Sequence, residues 1–317
     1  MTSVKQYFPL LSDTVPQIMH EMGWWSKTKP GGHKHPQVDY ESDDPVATDI
    51  RMERLADLGF DAICLDYYGD SPKFRLINRA AGVMAASCLK NNLRFTVGID
   101  IGAIKNKPDP TISDTQEFIN ILSYVLAYGL CTFEINGTKT ILEFGMETLS
   151  APLDWVAITK AFPNVRILHR NIGGFSVPNS DGAYAWIDSG EAYLKDFYTR
   201  ALTPSKNQIC VGSVFKGFDN RKVDPITGVP LSPPVPCWGN LQQIPENQGQ
   251  TLLNTIAITN DFISKGGRLA AIQWNTDNDW EEGTALEKKV DSGVITSISG
   301  NKNCIDATML TFKPMFH

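Results

Sequence analysis

Residues 268–287, RLAAIQWNTDNDWEEGTALE, decide how this chain is read. They open with an apolar run, 269–274, of the length and composition of a buried strand. The sequence then turns abruptly polar and presents Asp277, Asp279, Glu281 and Glu282. A buried strand running straight into crowded carboxylates has the form of a barrel strand whose carboxyl end carries chemistry. Crowded like charges repel, so at least one of these acids should hold a proton near neutral pH. A carboxylic acid beside a carboxylate is the minimum equipment for cleaving a glycosidic bond. The plain alternative is a solvated acidic turn. Against it, Trp274 and Trp280 bracket the acids, and solvated turns seldom include two indoles.

Working back from that stretch, strand candidates recur at 17–25, 60–68, 94–101, 140–146, 165–170, 183–187 and 208–215. Helical patterns alternate with them at 45–58, 74–89, 114–130, 153–162, 191–202 and 248–264. In the first helix Ile50, Leu55 and Leu58 fall at helical spacing and Gly59 ends the pattern. Eight strands separated by helices or long loops predict an α/β chain folded as a single (β/α)₈ TIM barrel, one domain over 1–317. The pattern is irregular in two places. Gly173-Gly174 and Pro178 stand where a helix should follow the fifth strand, and the segment after the eighth strand reads as mixed β, so a closing helix is short or absent.

Composition limits the function. The chain has 317 residues, 42% of them hydrophobic and 20% charged, enough for a substantial core. A net charge of −6 argues against a nucleic-acid partner, which calls for a basic surface. The first residues lack the apolar core of a signal peptide, and no run is long enough for a membrane span. The expectation is therefore no membrane association, and a cytoplasmic location as written or export by a route not encoded here. Six cysteines (Cys64, Cys88, Cys131, Cys210, Cys237, Cys304) are scattered without close pairs, which indicates neither a disulfide framework nor a zinc site. No phosphate-binding loop and no Gly-x-Ser-x-Gly elbow occur, so no cofactor is expected.

In a barrel the strand ends converge on one mouth, which turns scattered residues into a candidate site. The substrate-binding candidates are Trp24 and Trp25 after the first strand, Asp66 and Tyr67 (with Tyr68 next to them) at the second, and Asp100 at the third. Glu147, His169 and Trp186 follow the next three, Asp219 and Arg221 the seventh, and Trp274, Asn278 and Trp280 the eighth. An acid after a strand commonly caps the next helix. Recurrence beside indoles favours a sugar groove, in which rings cover C–H faces and carboxylates or Arg bind hydroxyls. At least one of Trp24, Trp25 and Trp186 should then lie exposed. His33-x-His35, near Asp39, suggests a metal-dependent hydrolase instead. Of the remaining histidines, His20, His169 and His317, only His169 falls at a suitable strand end, and the expectation is no metal.

The string Asn278-Asp279-Trp280-Glu281-Glu282-Gly283-Thr284, closed by Glu287, resembles the Asn-Glu-Trp-x-Glu-Gly-Thr signature at the last barrel strand of glycoside hydrolase family 99. Those enzymes are endo-α-mannosidases and α-mannanases whose first and last signature acids form the catalytic pair. Family 71 α-1,3-glucanases show a related Asn-Asp-x-x-Glu arrangement. Asp279 leans toward family 71, and Glu282-Gly283-Thr284 toward family 99. Ser213-Val214-Phe215-Lys216-Gly217-Phe218-Asp219 is similar to a family 99 Ser-Val-x-Pro-Gly-Tyr-Asp stretch, departing at Lys216 and Phe218. Asn136-Gly137-Thr138-Lys139 resembles an Asn-Gly-Lys-Pro turn of the same group. The resemblance implies a glycosidase, endo-acting on an α-linked mannan or glucan, with Glu282 as general acid and Asp279 as its partner carboxylate. Asp279 would assist attack by the sugar's own 2-hydroxyl in the first family and act with water in the second. The alternative is a barrel that binds carbohydrate without turnover, because Asp at 279 is a methylene shorter than Glu.

Overall fold

A computed structural model describes residues 3–286, except 31, 35–37, 189, 203–207, 225, 228, 238, 280 and 283. Eight parallel strands form a closed barrel: β1 (Gln17–Glu21), β2 (Ala62–Tyr67), β3 (Arg94–Asp100), β4 (Thr138–Phe144), β5 (Val165–Arg170), β6 (Gly182–Tyr184), β7 (Ile209–Phe215) and β8 (Ala271–Asn275). Each pairs with its neighbours in sequence, β3 pairs with β4, and β8 returns to β1 through Gln17 opposite Ile272 and Met19 opposite Trp274. Strands covered on both sides need apolar side chains on both faces, which is why they read as continuous apolar runs.

The outer layer is built from helices α1 (Pro45–Asp57), α2 (Arg75–Lys90), α3 (Ile101–Lys105), α4 (Asp114–Ala127), α5 (Trp155–Ala161), α6 (Glu191–Ala201) and α7 (Gln250–Ser264). Their starts are chemically encoded. Asp44 accepts from the Val46 and Ala47 amides, with Pro45 in the first turn. Ser113 and Asp154 cap α4 and α5 in the same way. As the sequence indicated, the connection after β5 is only a 3₁₀ turn, Ile172–Ser176. The segment expected to follow the eighth strand lies outside the described residues.

One packing detail departs from the sequence expectation for Trp274. Trp274 of β8 points outward and is fully buried, edge-on to Phe8 at 6.2 Å and to Phe60 at 5.7 Å. Its indole N–H donates to Gln17 Oε1 at 2.9 Å. The amino-terminal 3₁₀ turn, Val4–Tyr7, is tied to α1 and α7 by Val4 N to Leu58 O and by Asn260 Nδ2 to Tyr7 O. The leading segment thus packs against the outer face of β8.

The barrel interior is polar toward its carboxyl end. His20 Nδ1 lies 2.9 Å from Gln273 Nε2, and Asn275 Nδ2 donates to Ser213 Oγ at 2.8 Å. A side chain at Gly98 would meet Cys64 Sγ at 3.6 Å and His20 Cε1 at 3.7 Å, so β1, β2 and β3 project those positions inward. Strand alternation then sends Cys64, Asp66 and Asp100 inward and Tyr67, Glu21 and Trp274 outward.

Candidate active site

The loop after β8 is held by its own hydrogen bonds and by a clip to β1. Asp279 N donates to Thr276 Oγ1 at 2.9 Å, and Thr284 and Ala285 amides return to Asp279 O. Asn278 Oδ1 accepts from Met22 N at 2.7 Å while its Nδ2 donates to Met22 O at 3.0 Å and to Tyr40 Oη at 3.0 Å. Trp25 Nε1 donates to Asn278 O at 2.9 Å. These bonds fix the direction of the following carboxylates. Glu282 N donates to Asp279 Oδ1 at 3.0 Å, and Asp219 N, from the loop after β7, donates to Glu282 O at 2.6 Å.

Four acids meet at this mouth. Asp279 is fully buried, Asp66 and Asp100 are 5% and 7% exposed, and Glu282 is 8% exposed. Burial, with the charge of Glu281, pushes Asp279 up to about 7 against the backbone bond from Glu282. Burial likewise lifts Asp100 to about 7, opposed by the Gly102 amide and by Arg170 and Lys105. Asp66 is driven well above the usual carboxylate range by burial and then by Asp100 and Asp279, against a hydrogen bond from Tyr68. Among the described residues, Asp279 Oδ2 and Asp66 Oδ1 are buried without a hydrogen-bond partner. Gly102 shapes this corner, since a Cβ there would strike the Tyr68 ring at 2.7 Å and Asp100 Oδ1 at 2.8 Å.

The other candidates fall into three groups. Glu147 stands at the rim, paired with Arg170, which also lies 4.6 Å over the Phe144 ring. Asp219 and Arg221 are bound to each other, and Arg221 holds the Asp219 carboxyl below its usual range against burial. Trp280 lies outside the described residues.

The third group is corrected by the structure. Trp274 and Tyr67 face the outer layer rather than the mouth, and the Tyr67 hydroxyl accepts from Asn78 of α2 at 3.3 Å. His169 also faces outward, 4.5 Å from the Trp155 ring and 3.2 Å from Glu143 Oε1. Asn278 and Trp25 are fully buried and spend their polar atoms on the clip. The expected exposed platform is not found either. Trp24 is buried in a stack on His33 at 4.9 Å, and Trp186 fills the barrel between His20 and Phe144. Any groove is therefore lined by other groups. Arg170 and Tyr68 belong to the mouth beside Asp100 and Asp66, although abrupt polarity at strand ends does not single them out. Strand parity could have found Arg170, because it flanks the outward His169.

His33 of the metal reading bonds Glu281 Oε1 through Nδ1 at 3.1 Å, while His35 lies outside the described residues. Among the described residues no group of three or more His, Cys, Asp and Glu is disposed to hold a metal ion. No helix among them is long and apolar enough to cross a membrane. A concavity of about 1310 Å³ opens at the opposite end of the barrel, lined by Pro16, Asp61, Arg94, Asn136, Ile209 and Arg268. It lies away from the buried acids, at the face that (β/α)₈ enzymes use for stability rather than chemistry.

The fold has solved counterparts. A family 99 endo-α-mannosidase from Bacteroides thetaiotaomicron superposes with a TM-score of 0.60 at 14% identity, covering 89% of this chain and 89% of that one. A structure of the enzyme in complex with bis-tris propane gives 0.63 at 16% identity, covering 95% and 96%. A glycoside hydrolase-like protein gives 0.59 at 11% identity, covering 95% and 94%. No family model and no curated protein matches the chain. At these identities the likeness is one of fold, and function has to be argued from the site.

Proposed function

We propose that this barrel is a glycoside hydrolase whose substrate is an oligo- or polysaccharide, endo-acting on an α-linked mannan or glucan. The observation that carries the reading is the geometry of Asp279 and Glu282. They share one loop at the carboxyl end of β8, the amide of one bonded to the carboxylate of the other, beside two further buried acids. Glu282 protonates the leaving oxygen. Asp279, lifted to about 7, is a base matched to neutral pH and takes the proton of the attacking hydroxyl, whether sugar or water. Activity limited by Asp279 rises as pH climbs through about 7, because the base works only when ionised. The fold shared with an endo-α-mannosidase and the signature-like string both support this chemistry. As part of the same reading, residues 1–317 form one catalytic domain.

Digestion of a panel of α-mannans and α-glucans, with product sizing, tests the proposal. Internal cleavage products from one of them are expected. Intact polymers across the panel overturn the assignment.

The second reading, carbohydrate binding without turnover, draws on one observation. Asp279 is fully buried, and its side chain is a methylene shorter than Glu. Retention on an α-glycan column without any cleavage would favour it.

A further inference from the structure

We propose that Asp66 serves this mouth as a neutral carboxylic acid, donating a hydrogen bond to a ligand oxygen, while Asp279 is the acid that gives up its proton. The ligand's being a sugar rests on the function proposed above. The state of Asp66 does not.

Asp66 ends the inward face of β2, opposite Gly98 of β3, and is nearly enclosed. Among the described residues, the two charges that act on it are both carboxylates, Asp100 from β3 and Asp279 from the β8 loop. The nearby cations Arg170 and Lys105 act on Asp100 instead. On its own strand Asp66 meets Cys64, whose thiol is buried and whose pKa is pushed up, so it brings no charge. From β1 the neighbouring ring is His20, which burial lowers to about 3 and leaves neutral. Glu281 adds further negative potential around Asp279. A buried carboxylate with no cation of its own gives up its charge by taking a proton.

Tyr68 completes the arrangement. Its phenol bonds the Asp66 carboxyl, and burial together with Asp66 and Asp100 holds it protonated. Among the described residues Asp66 Oδ1 is buried without a hydrogen-bond partner, so a proton carried there is available to a ligand. Asp279 differs because the Glu282 amide already stabilises its ionised form. The mouth thus offers a ligand one donor, Asp66, and one acceptor, Asp279. A pair of neighbouring hydroxyls on a sugar ring satisfies both.

The test follows aspartate carboxyl carbons by ¹³C NMR in the ligand-free protein, from about pH 5 to about pH 9, a range that spans shifted carboxylates. One resonance should remain at the protonated position at about pH 7 and be absent from Asp66→Asn. In that variant the Asp100 and Asp279 midpoints should stay within about 0.3 unit of the parent, because no charge has been removed. A fall of about 1 unit or more would mean that Asp66 is ionised, and would overturn the proposal. Binding of an α-manno-oligosaccharide supplies the second arm. Asp66→Leu should weaken it at least about tenfold more than Asp66→Asn, which keeps a donor. Equal losses would overturn the donor role. If the parent protein binds no such sugar, the proposed function fails, and the NMR arm still decides the state of Asp66.

Discussion

Asp277 and Asp279 stand two residues apart on one loop, both fully buried, and the fold treats them in opposite ways. Asp277 turns outward, where Arg54 and Arg51 of α1 converge on it beside Glu21 of β1. Burial alone would raise it, but the two guanidiniums win, and Asp277 is held below the usual carboxylate range. Asp279 turns inward, where burial and then the charge of Glu281 raise it to about 7. A buried acid that is matched by cations anchors structure. A buried acid left unmatched is a candidate for chemistry, and it stores the electrostatic cost of being there. Arg51, in addition, lies 4.6 Å over the Tyr40 ring, whose hydroxyl receives the Asn278 amide, so the anchoring cluster and the clip are one unit.

This contrast can be broken by substitution. The largest effect is expected at the chemistry. Glu282→Gln and Asp279→Asn should each lower turnover of a natural α-glycan by about 10²–10⁴-fold, measured as kcat/KM. An aryl glycoside with a good leaving group should rescue the first variant and not the second, since it needs little protonation. Full activity in Glu282→Gln would move the chemistry to Asp66, Asp100 or Glu147.

Next in size, Asp277→Asn should destabilise the fold by about 3–5 kcal/mol, because Arg51 and Arg54 lose their shared partner in the interior. Equilibrium denaturation at about pH 7 measures this. The stability that Asp277 contributes is present above the ordinary carboxylate pKa and is lost as pH falls through its depressed folded value.

Asp279→Asn should have the opposite sign. Its folded pKa is raised, so the parent protein loses stability as pH climbs from about 4 to about 7, where the unfolded chain is already ionised. The variant should be more stable by about 1–3 kcal/mol at pH near 8, and the gain should vanish at pH near 4. A destabilised Asp279→Asn at the higher pH would abolish the distinction between the two acids.

The smallest expected effect separates Tyr67 from Tyr68. Tyr67→Phe should cost about 0.5–1.5 kcal/mol of stability through the lost Asn78 contact and leave turnover alone. Tyr68→Phe should act on turnover and on the pH profile, because it removes the donor to Asp66. Equal kinetic defects would put both rings in the mouth.

Element order was legible because its signals are local. Apolar runs, the Asp44-Pro45 start of α1 and the Gly59 stop can each be read within a few residues. The acids at 66, 100, 279 and 282 were legible too, as abrupt polarity at strand ends. The misplaced residues share one cause. Tyr67, His169 and Trp274 lie next to inward residues (Asp66, Arg170, Asn275), and a barrel wall sends adjacent side chains to opposite sides. Proximity to a strand end identifies the neighbourhood of the mouth, and parity decides which side of the wall a residue faces. The tryptophans failed for a second reason. An indole is the largest filler a small barrel can recruit, and Trp25 and Trp186 fill space that only the three-dimensional closure creates.

The clip between Asn278 and Met22 joins positions 256 residues apart. Contacts of such separation are among the last to become favourable during folding, since the whole intervening chain must first be ordered. Asp66 and Asp100 belong to β2 and β3, whereas Asp279 and Glu282 follow β8, so the four acids come from opposite ends of the chain. The carboxylate constellation is complete only when β8 is docked against β1. Turnover is then a direct readout of barrel closure, and lesions anywhere along that seam, at Met22, Tyr40 or Arg51, should delay the appearance of activity during refolding more than the appearance of helical signal.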